Sequence, residues 1–246
     1  MPVFMIFSSH VRHGSVTIAG PLLEHLKDSL RIKIGEEIWV GDERRRRYRI
    51  RVSQIGRRDL HGEILEELTG SATTGPPVTL GQALLKGERM DWVIQKATEL
   101  GVASIIPLVS RRVSTRPRAE RLDHQRERWQ RIALEAAQQA ERWDVPSVVL
   151  PSDASDFFKN QPGTSLKLIL SERTPGQGLT SLQYPGDPER RVVLAIGPEG
   201  GWDKEELSLA LSCSFTAVTL GSRILRSETA AIAALSVIQS RLGELG

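Results

Sequence analysis

The sequence predicts an α/β protein of two domains, with a small β-barrel followed by a larger domain built on a parallel sheet. From residue 78 onward, apolar runs alternate with amphipathic helical segments, which is typical of a parallel sheet covered by helices. The preceding residues contain mostly short strand patterns. Between the two parts lies "TGSATTGPP", in which small residues, Gly and Pro predict a linker. We therefore expect a barrel at 1–72, a linker at 73–77 and an α/β domain at 78–246.

The N-terminal part has five strand patterns: "VFMIF", "SVTIA", "EIWV", "RYRIRVSQI" and "LHGEILEEL". One helix is predicted among them, at "PLLEHLKDSL". The fourth strand pattern alternates strictly, which predicts one buried and one basic face. Its two faces carry Tyr48, Ile50 and Val52 against Arg49, Arg51 and Ser53. A compact barrel with arginines on one surface is a plausible RNA-binding module.

The C-terminal part has strand patterns at "VTLGQALL", "ASIIPLV", "SLKLILS", "RVVLAI" and "FTAVTL". Helices are predicted at "GERMDWVIQKATELG", which ends at Gly101, at "AERLDHQRERWQRIALEAAQQAERW" and at "SETAAIAALSVIQSRL". The last of these is apolar nearly all round, so we expect it to be buried on more than one side.

Composition points to a cytosolic protein: 39% of the 246 residues are hydrophobic and 26% are charged. No apolar run is long enough to span a bilayer, and the first residues lack the features of a signal peptide. The single cysteine, Cys213, excludes an internal disulfide framework, and the five histidines show no metal-ligand spacing. We expect neither a membrane nor a metal as partner.

Arginines are clustered although the net charge is only +3. Eight lie between residues 44 and 58 with no acidic residue among them, and "RRVSTRPR" adds Arg111, Arg112, Arg116 and Arg118. Arginine suits bidentate phosphate recognition, so two such clusters favour an RNA or DNA partner. A solvated charged face remains the simpler alternative for either cluster.

A candidate ligand site follows the run "VVLAI" at residues 192–196, which suits a strand buried on both faces. The run stops at Gly-Pro-Glu-Gly-Gly, and Asp203 with Glu206 then predicts a helix N-terminus. The passage "FTAVTLGSRILRSETAAIAAL" repeats this order, with Ser227 and Glu228 predicted to cap the last helix. If the two strands are neighbours, both loops face one pocket at the carboxyl edge of the sheet. The alternative is that both are tight turns, with Glu199 capping a helix.

Several ligand classes are excluded by missing motifs. The chain has no GxGxxG after the first strand of a βαβ unit, no GxxxxGK[ST] and no GxSxG elbow. The remaining chemistry is one in which the protein positions a reactive cofactor. Methyl transfer from S-adenosylmethionine fits, because its sulfonium is already activated.

"GPEGGW" followed by "LGSRILRSETAAIAAL" resembles the paired signature of the ribosomal RNA small subunit methyltransferase E family. Three further segments agree in order: "HLKDSLRIKIGEEIWV", "KGERMDWVIQKATELGVASIIPLVSRR" and "RWQRIALEAAQQAERWDVP". The resemblance implies a PUA-like β-barrel, a SPOUT domain with a C-terminal trefoil knot, and a homodimer. It also implies S-adenosylmethionine-dependent methylation of N3 of a uridine in 16S rRNA of the small ribosomal subunit. A SPOUT methyltransferase for tRNA or another rRNA site, and a non-catalytic RNA-binding protein, are the alternatives.

Residues are assigned by the resemblance, by the arginine clusters and by the chemistry of uridine N3. The resemblance implies that the cofactor pocket is formed by Leu170, Ile196, Gly197, Pro198, Glu199, Gly200, Gly201, Leu220, Gly221, Ile224, Leu225 and Arg226. Arg226 and Glu228 are the predicted catalytic residues. The predicted RNA-binding residues are Arg31, Arg45, Arg47, Arg49, Arg112 and Arg142. The chain departs from the family pattern in the N-terminal domain, where no arginine precedes the first strand and where Asp28 and Glu43 replace a basic residue and a glycine.

Overall fold

The computed structural model of the chain describes residues 3–70, 75–114, 116, 119–171 and 176–245. It divides into two compact units, of which the first comprises Met1–Ala72 together with Ala137–Val145. The second comprises Thr73–Ala136 and Pro146–Gly246.

The first unit therefore contains a segment from the middle of the chain, residues 137–145, which the predicted boundaries did not include. Trp143 in this segment packs so closely on Gly70 that a Cβ there would lie 2.6 Å from the indole ring. Arg47 places its guanidinium carbon 3.9 Å from the centre of the same ring. The predicted linker at 73–77 lies partly outside the described residues.

The first unit is a six-stranded sheet in which all neighbours are antiparallel except β1 and β4. Its order is β1-β4-β5-β6-β3-β2. The strands are β1 (Val3–Met5), β2 (Val11–Arg12), β3 (Ser15–Ala19), β4 (Glu37–Gly41), β5 (Arg46–Ile55) and β6 (Asp59–Thr69). The predicted helix is a short α1 (Pro21–Glu24) that continues as a π-helical turn over His25–Ser29. All five predicted strands are confirmed, and only the two-residue β2 was missed.

The alternation predicted for β5 is confirmed: Tyr48, Ile50 and Val52 are buried in the core of this sheet. The opposite face is not purely basic, however. Arg49 pairs with Glu37 and with Glu66, each at 3.0 Å. Two further pairs join Arg51 to Glu37 at 3.0 Å and Arg46 to Glu67 at 3.1 Å. The basic face predicted for β5 is therefore largely paired with carboxylates, which come from the neighbouring strands β4 and β6.

The second unit is an eight-stranded sheet in which every pair is parallel. Its strands are β7 (Val78–Ala83), β8 (Ser104–Val109), β9 (Ser147–Val148), β10 (Ser152–Asp153), β11 (Leu166–Leu170), β12 (Gln177–Gly178), β13 (Val192–Ile196) and β14 (Thr216–Thr219). Its helices are α2 (Arg89–Glu99), α3 (Leu122–Gln139), whose end belongs to the first unit, α4 (Ala154–Lys159), α5 (Lys204–Ser212) and α6 (Ser227–Arg241). The predicted parallel α/β architecture is confirmed.

The strand order differs from the expectation in one respect. The order is β10-β8-β7-β13-β11-β14-β12, with β9 beside β8. β13 and β14 are therefore not neighbours, because β11 pairs with both of them. The two predicted loops leave the same edge of the sheet on either side of β11, which places Leu170, the last residue of β11, between them.

Apolar packing covers both faces of this sheet. Phe157 and Phe158 of α4, a helix that the sequence reading missed, pack with Phe215 on one side. On α2, Met90, Val93, Ile94 and Ala97 form a buried face, and Leu100, just after the helix, is half-buried. In the described part of the chain, no helix is both long and apolar enough to cross a membrane.

Candidate active site

The loop that leaves β13 ends in a complete capping box. The carboxylate of Asp203 accepts from the backbone N–H of Glu205 at 3.0 Å, and Glu206 accepts from the N–H of Asp203 at 3.1 Å. The predicted N-terminus of α5 is thus confirmed. The other oxygen of the buried Glu206 accepts from the N–H of Arg111 at 2.8 Å. One carboxylate therefore joins the loop after β8 to the loop after β13.

Trp202 explains why a glycine stands at position 197. Its indole Nε1 donates to the carbonyl oxygen of Leu170 at 3.1 Å, so the ring bridges β11 and the loop after β13. A Cβ on Gly197 would lie only 3.2 Å from this ring. Phe158 then holds the indole edge-on, with the ring centres 5.5 Å apart. The missing side chain lets the loop lie flat on the tryptophan.

The second loop runs from Leu220 to Arg226, and α6 begins at Ser227 with Arg226 as its N-cap. No side chain caps the helix, so the expectation that Ser227 and Glu228 cap it was wrong. Ser227 lies within the helix, and its hydroxyl donates instead to the carbonyl of Gly197 at 2.5 Å. The same hydroxyl accepts from Nε2 of Gln82 at 3.0 Å. This chain of bonds links β7, α6 and the glycine loop.

Gln82 is a functional candidate that the sequence reading missed. It is fully buried at the end of β7, beside Ile196 of β13. Its Oε1 atom is buried without a hydrogen-bond partner, and so is Oε2 of Glu228. Unsatisfied buried acceptors are costly and are concentrated at functional sites. The only sequence signal was a polar amide within the apolar run "VTLGQALL".

The residues predicted to hold a cofactor are only partly brought together. Leu170, Leu220 and Leu225 line one small cavity, of about 10 Å³, with three residues that were not predicted: Thr219, Arg223 and Ala230. Ile196 and Pro198 are buried beneath the first loop, whereas Ile224 is 72% exposed.

Glu199 points elsewhere, since its carboxylate pairs with Arg89 at 2.9 Å. Among the site glycines, Gly201 and Gly221 have positive φ angles of 69° and 117°, which residues other than glycine rarely adopt. Gly200 has no such angle; a Cβ there would lie 3.4 Å from the side chain of Arg112.

Two arginines of the second cluster hold the glycine loop. Arg112 donates to the carbonyl of Gly200 at 3.3 Å and to the Asp203 carboxylate at 3.2 Å. Arg111 pairs with Asp203 and with Glu205, and the Glu205 carboxylate raises the pKa of Arg111. The N–H of Glu205, and then the charge of Arg112, lower the pKa of the Asp203 carboxyl. Asp203 is thus kept ionised at the helix N-terminus.

The two predicted catalytic residues lie at the start of α6. Arg226 is exposed, and its guanidinium has no hydrogen bond or ion pair with any residue that the structure describes. Glu228 is half-buried and does not bond Arg226. The first turn of α6 thus carries a half-buried carboxylate at Glu228, two residues after an exposed guanidinium that has no partner among the described residues.

Comparisons with known proteins agree with this geometry. A family described as "RNA methyltransferase domain" matches residues 73–239, and one described as "RNA methyltransferase PUA domain" matches residues 18–65. The ribosomal RNA small subunit methyltransferase E of Synechocystis is 33% identical, over 97% of this chain and 77% of its own length. This chain belongs to the ribosomal RNA small subunit methyltransferase E family.

Two further members give the same result. The enzyme of that name from Mesomycoplasma hyopneumoniae is 38% identical, over 69% of this chain and 72% of its own. The crystal structure of the Neisseria gonorrhoeae member, bound to S-adenosyl methionine, matches with a TM-score of 0.85 and 32% identity. That match covers 98% of this chain and 97% of the other. The PUA-like first unit and the methyltransferase fold of the second are therefore shown.

The arginines that were predicted to bind RNA, or that belong to the two arginine clusters, differ in their surroundings. Arg31 is exposed with a positive φ of 52°, and Arg45 has one of 60° and a buried Nε without a partner. Arg142 donates to Asp144 at 3.0 Å. Arg47, Arg49 and Arg112 have the partners described above, and Arg118 lies outside the described residues. No cluster of metal-ligating side chains occurs in the described part of the chain.

Proposed function

We propose that this family member transfers a methyl group from S-adenosylmethionine to N3 of a uridine in 16S rRNA. One observation carries the proposal: the match over 98% of the chain to the Neisseria family member crystallised with S-adenosyl methionine. The reaction needs neither a metal nor a covalent nucleophile, and the site offers two glycine-containing loops and the guanidinium of Arg226, which has no partner among the described residues. We propose that the barrel at 1–72 binds the RNA and that the domain from residue 78 carries out the methyl transfer.

The residues of the site fit the cofactor. Leu170, Leu220 and Leu225 give an apolar lining, as most small-molecule pockets have. The backbone of Gly197–Gly201 and of Leu220–Arg226 supplies peptide groups for the edge of the adenine ring. The unpartnered Oε1 of Gln82 is the acceptor that we propose for an amino group of the cofactor. S-adenosylmethionine supplies an activated methyl group when it is bound.

The protein must change the protonation of the uridine ring. Uridine N3 carries an imide proton, and the ring is a poor nucleophile until that proton leaves. The negative charge of the deprotonated ring lies largely on O2 and O4, and preorganised donors stabilise such charge. Arg226 is our candidate for this donor because its guanidinium is free. Glu228 is our candidate for the proton acceptor because one of its oxygens has no partner.

We also propose a homodimer and the trefoil knot that the family resemblance implies. Within one chain α6 is buried on one side only, while Ile232, Ala233, Ser236 and Val237 stay half-exposed. Small and apolar side chains in such a strip permit close approach of a second copy. The protein would act in the cytoplasm, on 16S rRNA or on the small ribosomal subunit.

Nucleoside mass spectrometry of rRNA from a deletion strain tests the function. We expect 3-methyluridine to disappear from 16S rRNA and to return with the wild-type gene, but not with the Arg226→Ala gene. An unchanged rRNA profile with a changed tRNA profile would assign the enzyme to tRNA. Unchanged rRNA and tRNA profiles would indicate a non-catalytic RNA-binding protein.

A further inference from the structure

The first unit has a cavity of its own, apart from the candidate active site. It lies between the helical segment after β3 and the turn that joins β5 to β6. Seven residues line it: Gly20, Leu23, Glu24, Lys27, Asp28, Arg57 and Arg58. Its volume of about 280 Å³ is close to the lower end of the range for small-molecule sites. The cavity is thus large enough for the base of one nucleotide.

The cations at this cavity differ from those of β5. Neither Arg57 nor Arg58 has a hydrogen bond or an ion pair with any described residue, and both are exposed. Lys27 holds the two sides of the cavity together, because its Nζ donates to the carbonyl of Gly56 at 3.2 Å. The β5 arginines, in contrast, pair with glutamates of β4 and β6. In the β5–β6 pair, the arginines that remain free to bind an external anion are therefore those of the turn, Arg57 and Arg58.

The interior of the cavity suits a base. Leu23 is 4% exposed and forms an apolar wall. Glu24 and Asp28 add carboxylate oxygens, which accept hydrogen bonds from the amino and imino groups of bases. Asp59 belongs to the same turn, but its carboxylate faces His61 at 3.7 Å. Single-stranded RNA presents this combination of a backbone phosphate and an unstacked base.

We propose that this cavity binds one unpaired nucleotide of the RNA substrate, with its phosphate on Arg57 and Arg58 and its base against Leu23, Glu24 and Asp28. The inference rests on the proposed function, since it takes RNA as the substrate. It makes the β5–β6 turn, rather than the face of β5, the main RNA contact of the first unit.

Anisotropy titrations of the full-length protein with a short single-stranded RNA test the proposal. Arg57→Ser with Arg58→Ser should lower the log–log salt slope by about 0.7, because one phosphate contact is lost. At 0.1 M salt this corresponds to about fivefold weaker binding. S-adenosylmethionine affinity, measured by calorimetry, should not change.

A matched control removes the same charge elsewhere in the unit. Arg12 and Arg44 are both exposed, and they lie away from the cavity. Arg12 pairs with Ser15, whereas the Asp59 side of β3 is its other end, at Ala19. Arg44 lies just before β5, at the end of that strand opposite the β5–β6 turn. If Arg12→Ser with Arg44→Ser lowers the slope as much, the effect is one of overall charge and the proposal is wrong.

A second variant tests the base contacts. Glu24→Gln with Asp28→Asn removes two negative charges, so a purely electrostatic surface would bind RNA more tightly. We expect weaker binding instead, because the carboxylates accept from the base. Tighter or unchanged binding would overturn this assignment, as would free nucleoside monophosphates that bind more tightly than RNA. A wild-type protein that binds the RNA through Arg57 and Arg58 but never methylates 16S rRNA would refute the proposed function alone.

Discussion

The hydroxyl of Ser227 donates to the carbonyl oxygen of Gly197, 2.5 Å away, and so ties the first turn of α6 to the glycine loop after β13. The same hydroxyl accepts from the buried Gln82. Two loops that leave the sheet on either side of β11 are thereby fixed with respect to each other. The geometry of the proposed cofactor pocket depends on this bond.

Ser227→Ala should lower the free energy of unfolding by about 1–3 kcal/mol, because it removes one donor and one acceptor from buried groups. We also expect weaker S-adenosylmethionine binding, since the two loops are no longer joined. Chemical denaturation and calorimetry measure the two effects. Ser222→Ala, in the exposed part of the same loop, is the control. Equal stability of the two variants would contradict the assigned role of Ser227.

Gly221→Ala should weaken S-adenosylmethionine binding at least tenfold in a protein that stays folded. Its φ of 117° is unfavourable for alanine, so the loop must leave the conformation that lines the pocket. Gly243→Ala is the control, since Gly243 has a φ of 78° beyond the end of α6. Calorimetry that gives both variants wild-type affinity would remove Gly221 from the pocket.

Arg226→Ala should lower the single-turnover methylation rate by about 10²–10³-fold and change cofactor affinity far less, as expected when a donor to developing charge is lost. The wild-type rate should rise with pH, because the imide proton of uridine must leave. Rapid-quench measurements across a pH series test both statements. Loss of cofactor binding with an unchanged saturated rate would make Arg226 a cofactor ligand instead.

Val237→Glu should convert the protein from a dimer to a folded monomer, because it places a charge in the half-exposed strip of α6. Ser240→Glu, on an exposed position of the same helix, should leave the dimer intact. Light scattering at micromolar concentration reports the mass, and circular dichroism reports the fold. A wild-type protein that is a stable and active monomer would rule out the proposed dimer.

Asp203→Ala should lower the melting temperature at neutral pH, where the ionised carboxylate caps α5. The folded-state pKa of Asp203 lies below its usual value of 3.8, so its stabilisation is complete above that value. This stabilisation is lost as the pH falls through the lower, folded-state pKa. The difference in melting temperature between the wild type and Asp203→Ala should then become smaller. Asp156→Ala, an exposed residue of α4, is the control for the melting curves. If the difference in melting temperature instead grows as the pH falls, the direction assigned to the pKa shift of Asp203 is wrong.

Local patterns predicted most elements of the fold. The unbroken apolar run at Val192–Ile196 marked a strand buried on both faces, and Asp203 with Glu206 marked the start of α5. These features depend on neighbours within a few residues, which a sequence shows directly. The same holds for the alternation in β5.

Features set by distant residues could not be predicted in this way. The position of β11 between β13 and β14 depends on the pairing of segments that are far apart in the chain. The ion pairs of Arg49 join three different strands, and Ser227 looked like a cap because nothing local indicated Gln82 or Gly197. The cavity beside Arg57 and Arg58 likewise needs two segments brought together.

The helix α6 is anchored at both ends, since Gln239 in its last turn donates to the carbonyl of Leu100 at 2.6 Å while Ser227 holds its first turn. A helix fixed at two points opens as one cooperative unit rather than by fraying from one end. Its amide hydrogens should therefore exchange with solvent together, and at the same rate as those of the glycine loop to which it is bonded. Hydrogen exchange in the loop then becomes a measure of how often the whole helix detaches from the sheet.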